Sequence, residues 1–353
     1  MLKDLTVIEL SSVLAGPDVG MFFAELGARV IKIENKTTNG DVTRTWKSSL
    51  ENNNSTISAY YASVNWNKKS LFLDLNNKQD RTKVYELVKD ADIVISNYKK
   101  GDDLKLKVDY KTLKKINPTI IYGIITGFGS SDKRVAFDVV LQAESGFMSM
   151  NGTPESGPIK LPVAIIDVIA AHQLKEGILL ALLKRSNENK SYLVEVSLYD
   201  AAISALKNQA CNWLMNNNIP LLSGSLHPNI APYGEIFTTK DNKQIVLAIG
   251  SDTQFNHFLE IIGALEMLKN KLYSTNPLRV KNRTQLFSDL APYFKKFNRT
   301  KLMKLFINNN VPAGAIKNLK EVFDDKSAQN LINEEIIEGN LSKRVKTAIF
   351  KIS

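Results

Sequence analysis

With 353 residues and 44% hydrophobic content, the chain can bury a sizeable core and exceeds the usual size of one domain, so two domains are expected. A single cysteine, Cys211, excludes an intramolecular disulfide and any multi-cysteine metal site, and His172, His227 and His257 lack ligand spacing, so no structural metal is expected. The net charge of +10 comes from lysines scattered among asparagines, without a basic helix or aromatic stacking motif, which argues against a nucleic-acid binder and for a solvated basic surface able to attract a polyanionic small molecule.

The first residues, MLKDLTVIEL, carry Asp4 and Glu9 within a short apolar run and lack a secretory signal. No later run approaches the ~20 apolar residues of a membrane span. A cytoplasmic protein without membrane contact is the expectation. The N-terminal half then alternates β-branched runs with helical stretches, the pattern of a parallel sheet covered by helices. Strands are expected over residues 5–10, 28–34, 70–75, 92–97 and 119–125. Between the first two, Pro17 near the start and Gly27 just past the end mark a helix. Glu34 imitates the ribose-binding acid of a dinucleotide fold. The loop Ser11–Gly16 lacks the spaced glycines, however, so a nicotinamide dehydrogenase is disfavoured and Glu34 is expected in a local ion pair or hydrogen bonds. Residues 168 to about 217 read as helical by periodicity, with Cys211 as a buried structural thiol. Residues 234–248 read as a hairpin turning at Asp241-Asn242, and helices follow to about residue 309. The run 344–350 reads as a strand that returns to the first domain.

Asp167 stands alone in the apolar stretch Leu161–Ala171. An ionised carboxylate buried among aliphatic side chains costs free energy unless it is hydrogen-bonded. Two readings compete. Aspartate is a good N-cap, and residues 168–185 are rich in helix formers. A desolvated carboxylate at a helix start is also a usable nucleophile toward an activated acyl carbon.

A set of short motifs runs through nearly the whole chain in order. Leu14-Ala15-Gly16-Pro17, Leu26-Gly27-Ala28, Gly40-Asp41 with Arg44, and Asn65-Trp66-Asn67-Lys68 come first. Asn97-Tyr98, Thr126-Gly127-Phe128-Gly129, Phe137-Asp138, Gln142-Ala143, Pro162 with Asp167, Pro232-Tyr233-Gly234 and Val311-Pro312-Ala313-Gly314 follow. In these motifs the chain resembles the family III CoA-transferases, the carnitine and bile-acid CoA-transferase family that includes formyl-CoA transferase. The resemblance implies an α/β protein with a Rossmann-like parallel-sheet large domain and a smaller α+β domain, forming an interlocked homodimer. The large domain is expected over residues 1–219 and 326–353, the small one over 220–325. The implied reaction moves CoA from an acyl-CoA to a carboxylic acid, with acyl-CoA as substrate, no permanently bound cofactor and no metal. Asp167 falls at the family's catalytic aspartate, which raises the nucleophile reading above capping, although both can hold.

Carried over position by position, CoA binding falls to Leu14, Ala15, Lys36, Asn65, Trp66, Asn67, Lys68, Asn97, Tyr98, Lys99, Lys105, Ala136 and Phe137. Asn229, Ile230 and Ala231 fall in a loop that closes over the aspartate in relatives, or else in an ordinary interdomain loop. Three positions depart from the pattern: Leu14 replaces a glutamine found in some transferases, Trp66 a basic or small residue, and Phe137 the histidine of racemases. Phenylalanine cannot transfer a proton, which disfavours the nearest alternative, an α-methylacyl-CoA racemase or epimerase. A CoA-binding protein without catalysis is the other alternative.

Overall fold

A computed structural model describes residues 2–352. Contacts divide it into two compact units, one of residues 1–148, 160–215 and 327–353 and one of residues 149–159 and 216–326. The first unit is built on six parallel strands: β1 (Thr6–Leu10), β2 (Arg29–Asn35), β3 (Lys68–Leu73), β4 (Ile93–Ser96), β5 (Ile121–Thr126) and β6 (Tyr192–Ser197). Their order across the sheet is β3-β2-β1-β4-β5-β6. The mixed α/β class with a parallel sheet is therefore as expected.

Successive residues of each central strand feed opposite cores, as the period of a strand requires. Val7, Val30, Ile93 and Ile121 face one side, where they pack against Val19 and Phe23 of α1 (Ala15–Glu25) and against the long helix Ile165–Glu188. Ile8, Ile31, Val94 and Tyr122 face the other, against Val84 and Val88 of the helix Lys78–Lys89.

Two elements differ from the sequence reading. The stretch after residue 188 is not continuous helix: Asn189 takes the left-handed conformation that ends the helix, and β6 follows as an edge strand with alternating exposure. Its period-2 pattern is short and only half-buried, so the helical periodicity on either side masked it. The C-terminal strand spans Asn340–Val345 and pairs antiparallel with Ile332–Ile337 in a separate hairpin rather than in the main sheet. That hairpin is clamped to α1 of the same unit: Glu25 accepts from the Thr347 and Ala348 N–H groups at 3.0 and 2.6 Å and pairs with Arg344. Cys211 is exposed, not buried, because the helix Lys207–Asn216 has no buried residue.

Inside the first unit sits a neutral cluster of four charges. Lys32 Nζ lies 2.8 Å from Glu9 and 3.1 Å from Asp41. Lys68 Nζ lies 2.7 Å from the other Glu9 oxygen. Burial lowers both ammonium groups: Lys68 is brought down to about 8, whereas Glu9 and Asp41 outweigh burial at Lys32 and hold it above its ordinary value. Room for this cluster comes from Gly20 in α1, where a Cβ would stand 1.9 Å from Glu9 Oε2.

The second unit carries the antiparallel hairpin Tyr233–Thr238 and Gln244–Ala248, with Ala313–Ala315 as a third strand. Its core is aromatic: Phe237 stacks on Phe294 at 4.1 Å, and Phe255, Phe258 and Phe306 surround them.

Alanine in place of glycine inside a helix ordinarily gains up to ~1 kcal/mol. Gly20→Ala is expected to do the opposite, lowering stability by about 2 kcal/mol through the clash with Glu9. A urea midpoint equal to or above wild type would show that the carboxylate does not need that space.

Candidate active site

The strand order reverses between β1 and β4, and the loops leaving their carboxyl ends diverge there, which is where open α/β sheets hold ligands. Here the two loops are tied together. Ser12 N–H donates to Asn97 Oδ1 at 3.0 Å, and Asn97 Nδ2 donates to the Ser12 carbonyl at 2.7 Å. Beyond them opens a cavity of about 260 Å³ lined by Val13, Leu14, Ala15, Asn97, Tyr98, Lys99, Lys100, Ala136, Phe137 and Asp167, among others.

Asp167 lies in the first turn of the helix Ile165–Glu188, two residues inside its start, so it is not the N-cap. The capping work is done by Asp138, whose Oδ2 accepts the Ile166 N–H at 2.8 Å. Asp138 is in turn held by a short hydrogen bond from Gln142, which also accepts the Leu161 N–H at 2.8 Å. The Asp167 carboxylate accepts no hydrogen bond from any described residue, although it is only 9% exposed. Burial first, and the Asp138 charge second, push it up to about 7. A carboxylate with these properties is weakly solvated, ionised in a good fraction near neutral pH, and open to the cavity.

The cavity rim is cationic. Arg134 is engaged by Asp132 and Glu144 and stacks over Phe128 at 3.6 Å. Lys99 and Lys133 have no ion-pair partner among the described residues. On a different element, Tyr60 packs edge-on against Trp46 at 5.1 Å. Its phenol is pushed up to about 12, by burial and then by Asp167, Asp138 and Asp41, and so keeps its proton.

The expected site residues divide into three groups. Leu14, Ala15, Asn97, Tyr98, Lys99, Ala136, Phe137 and Asp167 share the one cavity. Lys36 lines a separate hollow of about 700 Å³ with Arg44, Lys47 and Phe72. Elsewhere lie Asn65, Trp66, Asn67 and Lys68, which lead into β3, with Lys68 as its first residue, and therefore sit toward the amino end of the sheet. The polar groups of Asn65, Asn67 and Lys68 are occupied internally: Asn65 donates to the Tyr61 carbonyl, Asn67 to the Ala24 carbonyl, and Lys68 to Pro17 O and Asn65 Oδ1, whereas the buried Trp66 Nε1 finds no hydrogen-bond partner among the described residues. The Trp66 ring lies 4.9 Å from the Arg344 guanidinium. Lys105 is on the surface, paired with Asp102.

Asn229, Ile230 and Ala231 belong to the second unit, where two arginines hold their backbone. Arg283 donates to the His227 and Ile230 carbonyls, and Arg279 to the Ala231 carbonyl at 2.7 Å. Asn276 bridges Asn229 O and Ala231 N. Glu34, in the ribose position of a dinucleotide fold, is consumed by Arg44, Tyr61 and the Asp41 N–H; burial pushes its carboxyl up, but Arg44, Ser70 and the Asp41 N–H outweigh it and hold it down at about 2. The sequence reading missed Asp138 as the helix cap and Tyr60 as a neighbour of Asp167. Asp138 is visible only as part of the Phe137-Asp138 motif, and no local pattern marks Tyr60.

Comparison with known proteins matches this arrangement. A model of CoA-transferase family III matches residues 2–348. The chain is similar to a succinate–glutarate CoA-transferase of Agrobacterium fabrum, 34% identical over 99% of this chain and 88% of that protein. It is 33% identical to a human succinyl-CoA:glutarate CoA-transferase over 91% of this chain and 73% of the relative. A CAIB/BAIF family protein from Brucella suis has the same fold, with a TM-score of 0.87 and 34% identity over 99% of this chain and 92% of that one. With the match continuous from the first strand to the C-terminal hairpin, the chain belongs to CoA-transferase family III.

Proposed function

We propose that this enzyme transfers CoA from an acyl-CoA to a short dicarboxylic acid, with Asp167 as the nucleophile. The observation that carries the reading is Asp167 itself: a nearly buried carboxylate, free of hydrogen bonds, facing a cavity with a cationic rim. The dicarboxylate class is supported by the relatives' names, which include succinyl-CoA:glutarate, succinyl-CoA:mesaconate and acetyl-CoA:oxalate CoA-transferases. A rim bearing Lys99 and Lys133 suits the phosphates of CoA and a carboxylate alike.

In the proposed sequence, Asp167 attacks the thioester carbonyl, the C–S bond breaks, and CoA leaves as thiolate from a mixed anhydride. The thiolate then attacks the aspartyl carbonyl, releasing the donor acid and leaving an aspartyl-CoA thioester. The acceptor carboxylate attacks that thioester to form a second anhydride, again freeing the thiolate. Attack of the thiolate on the acceptor's acyl carbon yields the new acyl-CoA and restores Asp167. Free backbone N–H groups near the cavity would stabilise each oxyanion. Phe137, which lines the cavity, has no proton to give, so exchange of the substrate's α-proton plays no part.

By this reading CoA is held by Leu14, Ala15, Asn97, Tyr98, Lys99, Ala136 and Phe137, with Lys36 as a further contact. Asn65 to Lys68 act through the fold. The large unit is then the CoA-binding domain. Two copies interlock. Support for a partner comes from apolar side chains left exposed along the first unit, Leu180 and Leu183 on the Asp167 helix, Leu214, Met215 and Ile349, between 63% and 79% exposed.

Five outcomes are expected. Intact-protein mass after incubation with a panel of acyl-CoAs plus hydroxylamine or borohydride should show a trapped modification in wild type and none in Asp167→Ala. Loss of activity in that variant should reach at least about a thousandfold. The rate of the free enzyme, kcat/KM, should fall on acidification with an apparent pKa near 7, because only ionised Asp167 attacks. Asp138→Asn removes a like charge, so its acid limb should move to lower pH; an unmoved limb would dissociate Asp167 from the profile. Sedimentation equilibrium should give a dimer, and a monomer at micromolar concentration would end the interlocked reading.

A further inference from the structure

Val13 occupies the left-handed region with φ 71°. That region is strained for a β-branched side chain, whereas glycine enters it freely. The strain sits immediately before Leu14 and Ala15, which line the same cavity as Asp167. Something must hold it there. The Val13 N–H donates to the Asp41 carboxylate, 3.2 Å from Oδ2 and 3.4 Å from Oδ1.

Asp41 is itself fixed from several sides. Its carboxylate accepts the Thr43 N–H at 3.0 Å and the Thr43 hydroxyl at 2.8 Å, and it pairs with buried Lys32 at 3.1 Å. Its own N–H donates to Glu34 at 2.8 Å. At 5% exposure it is almost wholly enclosed. A rigid carboxylate thus reaches across from the segment after β2 to the loop after β1 and grips the strained residue.

We infer that Asp41 is a positioning residue for the transferase reaction: by holding Val13 in the left-handed conformation, it sets the Leu14–Ala15 lip of the acyl-CoA cavity. Asp41 touches no reacting atom. Its effect passes through Val13, and its removal lets the lip relax toward an unstrained backbone that receives acyl-CoA less well. The inference rests on the reading that the Asp167 cavity is the active site.

The test compares Asp41→Ala, Val13→Gly, the double variant and Asp167→Asn, all as the full chain, with steady-state kinetics on a donor–acceptor pair that wild type turns over. Asp41→Ala is expected to raise KM for acyl-CoA about tenfold, the scale of one strained residue. The double variant is expected to recover most of that, because glycine at position 13 takes the left-handed conformation without being held. Loss of folded protein alone would lower kcat at unchanged KM, and glycine would not restore it. An unchanged KM in Asp41→Ala, or a raised KM that the double variant does not bring down, overturns the inference. Should Asp41→Ala not fold, Asp41→Ser, whose side chain is one bond shorter than the contact requires, carries the same comparison with and without Val13→Gly. Full activity in Asp167→Asn would overturn the underlying reading of the cavity instead, and is distinguishable because it leaves the Asp41 comparison intact.

Discussion

The buried charges around Lys32 are the constraint to which the first unit answers. An ammonium and a carboxylate taken out of water each cost several kcal/mol, and only close pairing offsets this. Glu9 and Lys32 are direct register partners on neighbouring parallel strands, and Lys32 is in turn aligned with Ser70 on the third. Sliding either strand by one residue would turn a charge into the apolar core on the opposite face. The pairing therefore fixes strand register more sharply than the aliphatic side chains around it could. The same cluster reaches the functional end of the sheet through the Lys32 hydrogen bond to the Ser11 carbonyl, 2.7 Å long, and through Asp41.

Two aspartates divide what one was expected to do. Capping a helix and attacking a thioester make opposite demands on a carboxylate: the first needs its lone pairs engaged, the second needs them free. Asp138 takes the cap from outside the helix, so Asp167 keeps its oxygens unoccupied within the first turn. The charge of the cap also raises the proton affinity of its neighbour. In the proposed mechanism the nucleophile is thus tuned first by burial and second by a neighbouring carboxylate that is itself engaged in capping.

Much of this was legible in the chain. Four parallel strands, β1, β2, β4 and β5, announce themselves as β-branched runs because both of their faces are buried, the edge strand β3 shows only the short apolar run Leu71–Leu73, and the hairpin of the second unit is marked by Asp241-Asn242. The catalytic candidate stood out as a charge in an apolar stretch. Edge elements were harder: β6 exposes alternate residues and carries little apolar signal, and the C-terminal hairpin is held by charged contacts to Glu25 and Trp66 rather than by apolar burial. The motif Asn65–Lys68 illustrates another limit. A resemblance can mark residues as important without saying why, and here their polar atoms are directed into the fold, where Lys68 balances Glu9. Tyr60 and the Val13–Asp41 contact, which spans 28 residues, depend on three-dimensional proximity that no local pattern encodes.

The grip of Glu25 on the C-terminal segment also shapes how the chain reaches its native state. The hydrogen bond from Thr347 to Glu25 closes a separation of 322 residues, and the carboxylate that waits for it ends the very first helix. Loop-closure entropy makes such contacts late events, and folds rich in them assemble slowly. Until that contact forms, the acid at the end of the opening helix is met by water rather than by the chain. Only then does the hairpin seal it.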